Sequence, residues 1–339
     1  MSYLCTVFKT IKYKDMNYIQ LKNGEKLSCI GLGTMRLHND KESVDTILKA
    51  IDSGVNFINC GDFYNNGLGE LAVREALKIR KREDLFISVK FGGLMKLGGG
   101  MSGIDVAPEH VENYLAYTLN RLGVDYVDLY EPGRINPHIP VDETLGAIAR
   151  LKEKGYVRHV GITEVDAETL RRGNEAVGVD LVELNYNIMD RHYEDTTMAE
   201  ARKLGIPIAA FGVLLAGIIG GSHGQQTANF LKKIHPGETA SNFDRNLETR
   251  DKLQVIADRH NVTLAQLAMA WVLHQGNDIA AIVGAHSPSQ AESSVATVDI
   301  KLTPQDLADI EALVPKSEAR SLYQPVLTIN EKGIFEAGF

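Results

Sequence analysis

The chain contains little cysteine, a single tryptophan and no long apolar run. Its 339 residues include three cysteines, Cys5, Cys29 and Cys60, and their wide spacing favours free thiols in a reducing compartment over a disulfide framework. No stretch approaches the roughly 18 consecutive apolar residues that a membrane-spanning helix needs. The apolar run near the N-terminus is too short for a signal peptide. We therefore expect a cytoplasmic protein that is not inserted in a membrane.

Positive charge is also scarce. The net charge is −8, from 36 lysines and arginines against 44 aspartates and glutamates. No basic cluster is long enough to follow a phosphate backbone, which argues against nucleic acid as a partner. The ten histidines form no His-x-His or His-Glu-x-x-His pattern, so no metal site is expected. A small-molecule substrate is the expected partner, and assembly as a homo-oligomer stays open.

Apolar segments of strand length alternate with amphipathic segments of helix length along most of the chain. Residues 85–89 are apolar on both faces, as in parallel strands that helices cover. Eight such units in about 250 residues predict a closed (β/α)8 TIM barrel of the α/β class. A doubly wound open sheet competes, but no Gly-x-Gly-x-x-Gly fingerprint follows the first strand. The predicted strands are 30–33, 56–59, 85–91, 126–131, 157–163, 181–186, 206–211 and 280–284.

Two further elements frame the predicted barrel. Asn23-Gly24 between two short apolar runs predicts an N-terminal β-hairpin. A helix at 304–314 follows the last strand as an extra C-terminal element. No linker divides the chain, so we expect a single domain over 1–339, with its core at 18–314, a leader at 1–16 and a tail at 315–339.

Polar side chains gather at the predicted strand ends, where the loops of a parallel barrel form its site. Tyr64 follows the strand at 56–59, and Lys90 lies at the end of the next strand. An ammonium group stabilises a nearby phenolate, so this pair suits general acid–base chemistry at a carbonyl group. Cys60 lies beside them and is interpreted as a small buried side chain rather than a reactive thiol.

These residues lie in segments that resemble the aldo-keto reductases, which are NAD(P)H-dependent barrels without a Rossmann domain. The resemblance implies an oxidoreductase that reduces an aldehyde or ketone, or oxidises the matching alcohol. Tyr64 would be its general acid or base and Lys90 would assist. The segment 130–137 is most similar to the pyridoxal-reductase-like branch. The matching segments are 31–35, 54–64, 86–90, 125–130, 134–137, 157–163 and 282–285.

Two catalytic positions differ from those of the family. Asn59 stands where an aspartate pairs with the lysine, and Gly133 stands where a histidine orients the carbonyl group. Asn59 brings no charge. Glu131 points to the same strand face as Gly133, so it could supply the missing charge beside Lys90 if that face is the lumen. The alternative is that another polar group satisfies the Glu131 carboxylate. We also expect Gly133 to leave a wider pocket that admits a ring-bearing aldehyde.

The resemblance also implies a site for NADP or NAD. Thr163, Glu164 and Glu183 stand where the family uses Ser-Asn and glutamine to contact the nicotinamide amide, and Phe211 keeps the stacking aromatic. No permanent cation stands at the adenosine end, so neither cofactor is clearly preferred. The other implied contacts are Gly33, Thr34, Met35, Gly212, Gly284, His286, Gln290 and Ser294.

Two other functions remain open. Tyr64 and Lys90 could serve an elimination or isomerisation on the same barrel, with the nucleotide recycled internally or absent. A redox-silent binding or regulatory protein would not need the hydroxyl group of Tyr64. Net hydride turnover separates the reductase from both alternatives, and the change Tyr64→Phe separates the lyase or isomerase from the binding protein.

Overall fold

The protein's structure, a computed structural model, describes residues 16–98, 100–220, 238–318 and 329–335. Eight parallel strands close into a barrel, which confirms the predicted (β/α)8 fold. The barrel strands are β3 (Ile30–Gly33), β4 (Phe57–Gly61), β5 (Phe86–Phe91), β8 (Val127–Pro132), β9 (Val157–Thr163), β10 (Leu181–Asn185), β11 (Ile208–Phe211) and β12 (Ile279–Gly284). Their order around the barrel is β10-β11-β12-β3-β4-β5-β8-β9.

Helices follow the strands and cover the outside of the barrel. α1 is capped by Asp40, whose side chain accepts a hydrogen bond from the backbone N–H of Ser43. Gly123 ends α3 with a φ of 69°, a left-handed conformation that suits glycine. The helices are α1 (Lys41–Asp52), α2 (Leu68–Leu77), α3 (Val111–Leu122), α4 (Val141–Glu153), α5 (Ala167–Val177), α6 (Thr197–Lys203), α7 (Glu238–Arg259), α8 (Leu264–His274), α9 (Pro288–Val295) and α10 (Pro304–Leu313).

The predicted hairpin closes the N-terminal end of the barrel. Its strands, β1 (Tyr18–Gln20) and β2 (Lys26–Ser28), pair antiparallel. Ile19 and Leu27 are buried in one cluster with inward-facing barrel residues. We call this cluster the apolar plug. Its barrel members are Phe57, Phe86, Leu129, Leu181, Ala209, Ala280 and Ile282.

Two elements differ from the sequence-based predictions. The glycine-rich loop expected after β5 contains a small antiparallel pair, β6 (Gly93–Met95) and β7 (Met101–Ile104). Helix α9 was not predicted, because its serines and proline resemble loop composition. The side chain of Ser287 caps it and Pro288 occupies its first turn, where proline costs no hydrogen bond.

Some predictions fall on residues that the structure does not describe. Cys5, most of the leader and residues 319–328 and 336–339 of the tail lie outside the described residues. The single-domain assignment over 1–339 therefore stays a prediction. Among the described helices, none combines the length and apolar character that crossing a membrane requires.

Cys29 and Cys60 are free thiols buried in the apolar interior. Burial raises the pKa of Cys29 to about 11 and that of Cys60 to about 12. Because the thiolate is the reactive form, two factors slow the reaction of both side chains: burial excludes the reagent, and the raised pKa keeps the thiol protonated.

In a Cys5→Ser variant we expect neither Cys29 nor Cys60 to react rapidly with an aromatic disulfide reagent at about pH 8. Both thiols should react with the reagent once guanidinium chloride unfolds the chain. This control shows that the reagent is active and that two thiols are present. Rapid reaction of one thiol in the folded protein would show that a cysteine reaches solvent.

Candidate active site

A layer of polar side chains crosses the barrel above the apolar plug. Successive side chains of a strand point to opposite faces, so the residue two positions after a plug residue also faces the lumen. On β4, for example, Phe57 belongs to the plug and Asn59 to the polar layer. All members of this layer are buried. They are Asn59, Ser88, Lys90, Glu131, Thr163 and Glu183.

Lys90 is paired across the lumen with Glu183. Its Nζ atom lies 2.7 Å from Oε1 and 3.0 Å from Oε2 of Glu183, and it donates a 2.7 Å hydrogen bond to Oδ1 of Asn59. Nδ2 of Asn59 donates a 2.7 Å bond to Oε2 of the same carboxylate. Burial lowers the pKa of Lys90, but the carboxylate of Glu183 raises it and the net direction is upward. Lys90 therefore stays an ammonium group.

Glu131 is not the direct partner that the sequence predicted for Lys90. Its two carboxylate oxygens accept 3.0 Å hydrogen bonds from Ser88 Oγ and Thr163 Oγ1. The carboxyl group of Glu183, on the third strand beyond Lys90 around the barrel, makes the ion pair instead. Burial, and after it the charge of Glu183, raises the pKa of Glu131 to about 8. A catalytic role for Glu131 stays a prediction.

Tyr64 lies in a short 3-10 turn, Tyr64–Gly67, that begins three residues after β4. Asn65 and Asn66 have φ values of 49° and 54°, in the left-handed region that asparagine adopts more readily than most residues. The ammonium group of Lys90 lies 5.3 Å from the centroid of the Tyr64 ring. The expected Tyr64–Lys90 proximity is thus present.

The electrostatic environment keeps the phenol of Tyr64 protonated. Burial is the largest influence on its pKa and raises it, the charge of Lys90 lowers it, and the charge of Glu183 raises it again. The net direction is upward. Burial therefore outweighs the charge of Lys90 and keeps the Tyr64 hydroxyl group protonated at neutral pH.

The space beside Gly133 is filled, so the expected wider pocket is wrong. A Cβ atom at Gly133 would lie 2.8 Å from Cε1 of Phe63 and 3.2 Å from the carbonyl oxygen of Phe91. The Phe63 ring also packs against Gly93, where a Cβ atom would lie 2.5 Å from its Cγ. An aromatic ring from the loop after β4 therefore occupies the space beside Gly133.

Sequence reasoning missed two residues of the barrel mouth, Phe63 and Arg134. An aromatic residue within an otherwise polar loop was the available signal for Phe63. Arg134 lies two residues beyond the end of β8, and its Cζ atom lies 5.6 Å from the centroid of the Phe211 ring. Neither position could be assigned to the site until the strand ends were brought together.

The residues predicted for the nicotinamide lie at the ends of β9, β10 and β11. Glu164 follows β9 with a φ of 53°, and its carboxylate accepts a hydrogen bond from the backbone N–H of Asn185. Phe211 ends β11 with a partly exposed ring, and Gly212 follows with a φ of 68°. The carboxylate of Glu183 was also predicted to contact the nicotinamide amide, but it accepts hydrogen bonds from Lys90 and Asn59.

The roles of these strand-end residues as cofactor contacts stay predictions. They are Thr163, Glu164, Glu183, Phe211 and Gly212.

The residues predicted for the adenosine end lie near a cleft of about 470 Å³ that Met35 and His286 line. The side chain of Gln290 accepts a 2.8 Å hydrogen bond from the backbone N–H of His286, and Ser294 Oγ donates to the carbonyl oxygen of Gln290. The strand ends near this cleft carry Gly33, Thr34 and Gly284.

Within the described part of the chain, no three His, Cys, Asp or Glu side chains are placed to hold a metal ion.

Comparison with known proteins identifies the family. The model of the aldo/keto reductase family matches residues 29–315. The chain belongs to the aldo/keto reductase family. This membership confirms the expected oxidoreductase class, whereas the pyridoxal-reductase-like branch stays a prediction.

Individual relatives agree with this family over nearly their full length. A probable aldo-keto reductase 1 of Glycine max is 32% identical over 301 residues, which are 86% of this chain and 87% of the relative. A glycerol dehydrogenase structure from Gluconobacter oxydans shares the fold with a TM-score of 0.78 at 23% identity, covering 92% of this chain and 99% of that one. An aldo/keto reductase from Klebsiella pneumoniae, solved with NADP and acetate, has a TM-score of 0.71 at 21% identity, covering 92% and 100%.

The raised pKa of Glu131 predicts a pH dependence of stability. Between its usual 4.5 and about 8, the folded state holds a proton that the unfolded chain releases. The stability that Glu131 contributes is therefore complete at low pH and is lost as the pH rises through about 8. Glu131→Gln keeps a neutral polar group beside Ser88 and Thr163. We expect it to flatten the fall in the free energy of unfolding between about pH 6 and pH 9.

Urea unfolding of both proteins at the two pH values measures this difference. Burial also raises the pKa of Asp62, to about 7, but Asp62 titrates in both proteins and cancels in the comparison. An equal or steeper fall in the variant would show that Glu131 is ionised in the folded protein.

Proposed function

We propose that this protein is a nicotinamide-dependent carbonyl oxidoreductase in which Tyr64 transfers the proton. The observation that carries the proposal is the ion pair of Lys90 with Glu183, which holds an ammonium group beside the phenol. As the carbonyl group gains hydride, negative charge develops on its oxygen, and the Tyr64 proton neutralises it. The phenolate left behind is stabilised by Lys90, and the reverse sequence oxidises an alcohol.

The barrel mouth fits a nicotinamide group. When bound, NADH or NADPH would supply the hydride. The partly exposed ring of Phe211 offers it an apolar surface. Asn185 Oδ1 is buried beside Gly212 and has no hydrogen-bond partner among the described residues, and such an acceptor suits the N–H of a carboxamide. Membership of the family supports the same cofactor class. Thr163 at the end of β9 and Glu164 directly after it would be neighbours of the nicotinamide.

Titration of the protein with NADH and NADPH, followed by fluorescence, tests the cofactor class without a choice of substrate. We expect saturable binding of at least one. Hydride transfer to an aromatic aldehyde should then fall by roughly 10²–10⁴-fold in Tyr64→Phe, because the proton donor is gone, with cofactor affinity retained.

Tyr117→Phe is the matched control, because this tyrosine is 59% exposed on α3. Absence of binding of reduced and oxidised forms up to millimolar concentrations would reject the proposal. Cofactor binding with no hydride turnover, but with a Tyr64-dependent isomerisation, would favour the acid–base alternative.

The position of the negative charge beside Lys90 provides a second test. Nζ of Lys90 lies 2.7 Å from an amide oxygen of Asn59 and 2.7 Å from a carboxylate oxygen of Glu183. The two acceptors are equally close, and only Glu183 brings charge. Exchanging the amide and the carboxylate between the two positions therefore conserves both the net charge and the hydrogen bonds to the ammonium group.

We expect Glu183→Gln to destabilise the protein by about 3–5 kcal/mol, since it leaves a buried ammonium group unpaired, and to lower kcat at the same time. The double variant Asn59→Asp with Glu183→Gln should recover most of both losses. Urea unfolding and steady-state kinetics measure them. A double variant no better than Glu183→Gln alone would show that Glu183 acts through some contact other than Lys90.

A further inference from the structure

Arg134 places a second cation at the barrel mouth, distinct from the buried Lys90. Its side chain is 29% exposed, and its Cζ atom lies 5.6 Å from the centroid of the Phe211 ring. Its charge reaches Tyr64, where it lowers the pKa after the larger effects of burial, Lys90 and Glu183. Arg134 therefore lies at the barrel mouth beside Phe211, within electrostatic range of Tyr64.

The guanidinium group is incompletely neutralised. One of its nitrogens donates a 2.7 Å hydrogen bond to the carbonyl oxygen of Gly133. This is the only hydrogen bond of the guanidinium group among the described residues. Its nearest carboxylate, on Glu164, is 4.0 Å away. The other oxygen of Glu164 is already held by the backbone N–H of Asn185. A guanidinium group has five N–H donors, so several remain for a ligand.

The surroundings of Arg134 favour an anion on the substrate. The guanidinium group of Arg134 lies over the ring of Phe211, and the ring of Phe63 fills the volume beside the preceding residue, Gly133. Planar guanidinium groups bind carboxylates through paired hydrogen bonds. Arg134 does not line the cleft beside Met35 and His286, where the outer part of a dinucleotide is expected.

We propose that Arg134 binds a carboxylate of the carbonyl substrate, so that the preferred substrates are aldehydes or ketones carrying an acid group. This inference rests on the proposed function, because it assigns the substrate class of the same site. The carboxylate would anchor one end of the substrate at Arg134 while its carbonyl oxygen lies at Tyr64. The aromatic rings of Phe63 and Phe211 would contact the apolar part between them.

A matched pair of aldehydes tests the proposal: 4-carboxybenzaldehyde and its methyl ester, which keeps the ring and removes the charge. In the unmodified protein we expect kcat/KM for the acid to exceed that for the ester by about ten- to a hundredfold, as one charge-assisted contact provides. Arg134→Gln should abolish this preference, so that kcat/KM for the acid becomes equal to that for the ester. Arg134→Lys should keep part of it. Arg150→Gln, an exposed arginine on α4, should leave it unchanged.

The dissociation constants of NADH and NADPH, measured in the same variants, separate the substrate from the cofactor as the source of the anion. Unchanged constants in Arg134→Gln are expected. If cofactor affinity falls and the acid preference persists, Arg134 serves a cofactor phosphate and the proposal is overturned. Equal reduction of acid and ester by the unmodified protein overturns this inference alone. Reduction of neither aldehyde also overturns this inference, and the proposed function is rejected with it if neither cofactor binds.

Discussion

The ion pair between Lys90 and Glu183 is the interaction on which the candidate active site depends. Both side chains are almost fully buried, so either charge alone would carry a desolvation cost of several kcal/mol. Together with Asn59, the pair satisfies the ammonium group from two sides of the lumen. This arrangement fixes the charge that acts on Tyr64 and explains why a neutral Asn59 is compatible with a charged Lys90.

The layering of the barrel gives this pair its strength. The apolar plug and the N-terminal hairpin close the lower end, so the polar layer meets apolar side chains below and the barrel mouth above. Electrostatic interactions are stronger in such an interior than in water. The same low polarity keeps Glu131 protonated near neutrality, which limits the net charge of the layer and leaves one carboxylate, Glu183, for one ammonium group.

The mouth of the barrel combines apolar surfaces with isolated polar groups. Phe63 and Phe211 provide the apolar surfaces, and Asn185 Oδ1 and Arg134 provide polar groups with unused bonding capacity. Binding sites for small molecules commonly have this composition, in which a few polar groups fix the orientation of a largely apolar contact. The space beside Gly133 is therefore filled by the ring of Phe63 rather than left open.

The sequence by itself determined the barrel and the Tyr64–Lys90 pair. Alternating apolar strands and amphipathic helices are local patterns, and β4 and β5 are consecutive parallel neighbours, so their ends had to meet. Tertiary structure alone decided that Glu183 reaches Lys90, 93 positions away, and that the nearer Glu131 turns to Ser88 and Thr163. The reason is that the position of a residue along its strand determines which face its side chain occupies. Which side chains meet across the lumen depends on how the barrel closes. Phe63 is a further example, since its ring fills the place beside Gly133 only once the loops converge.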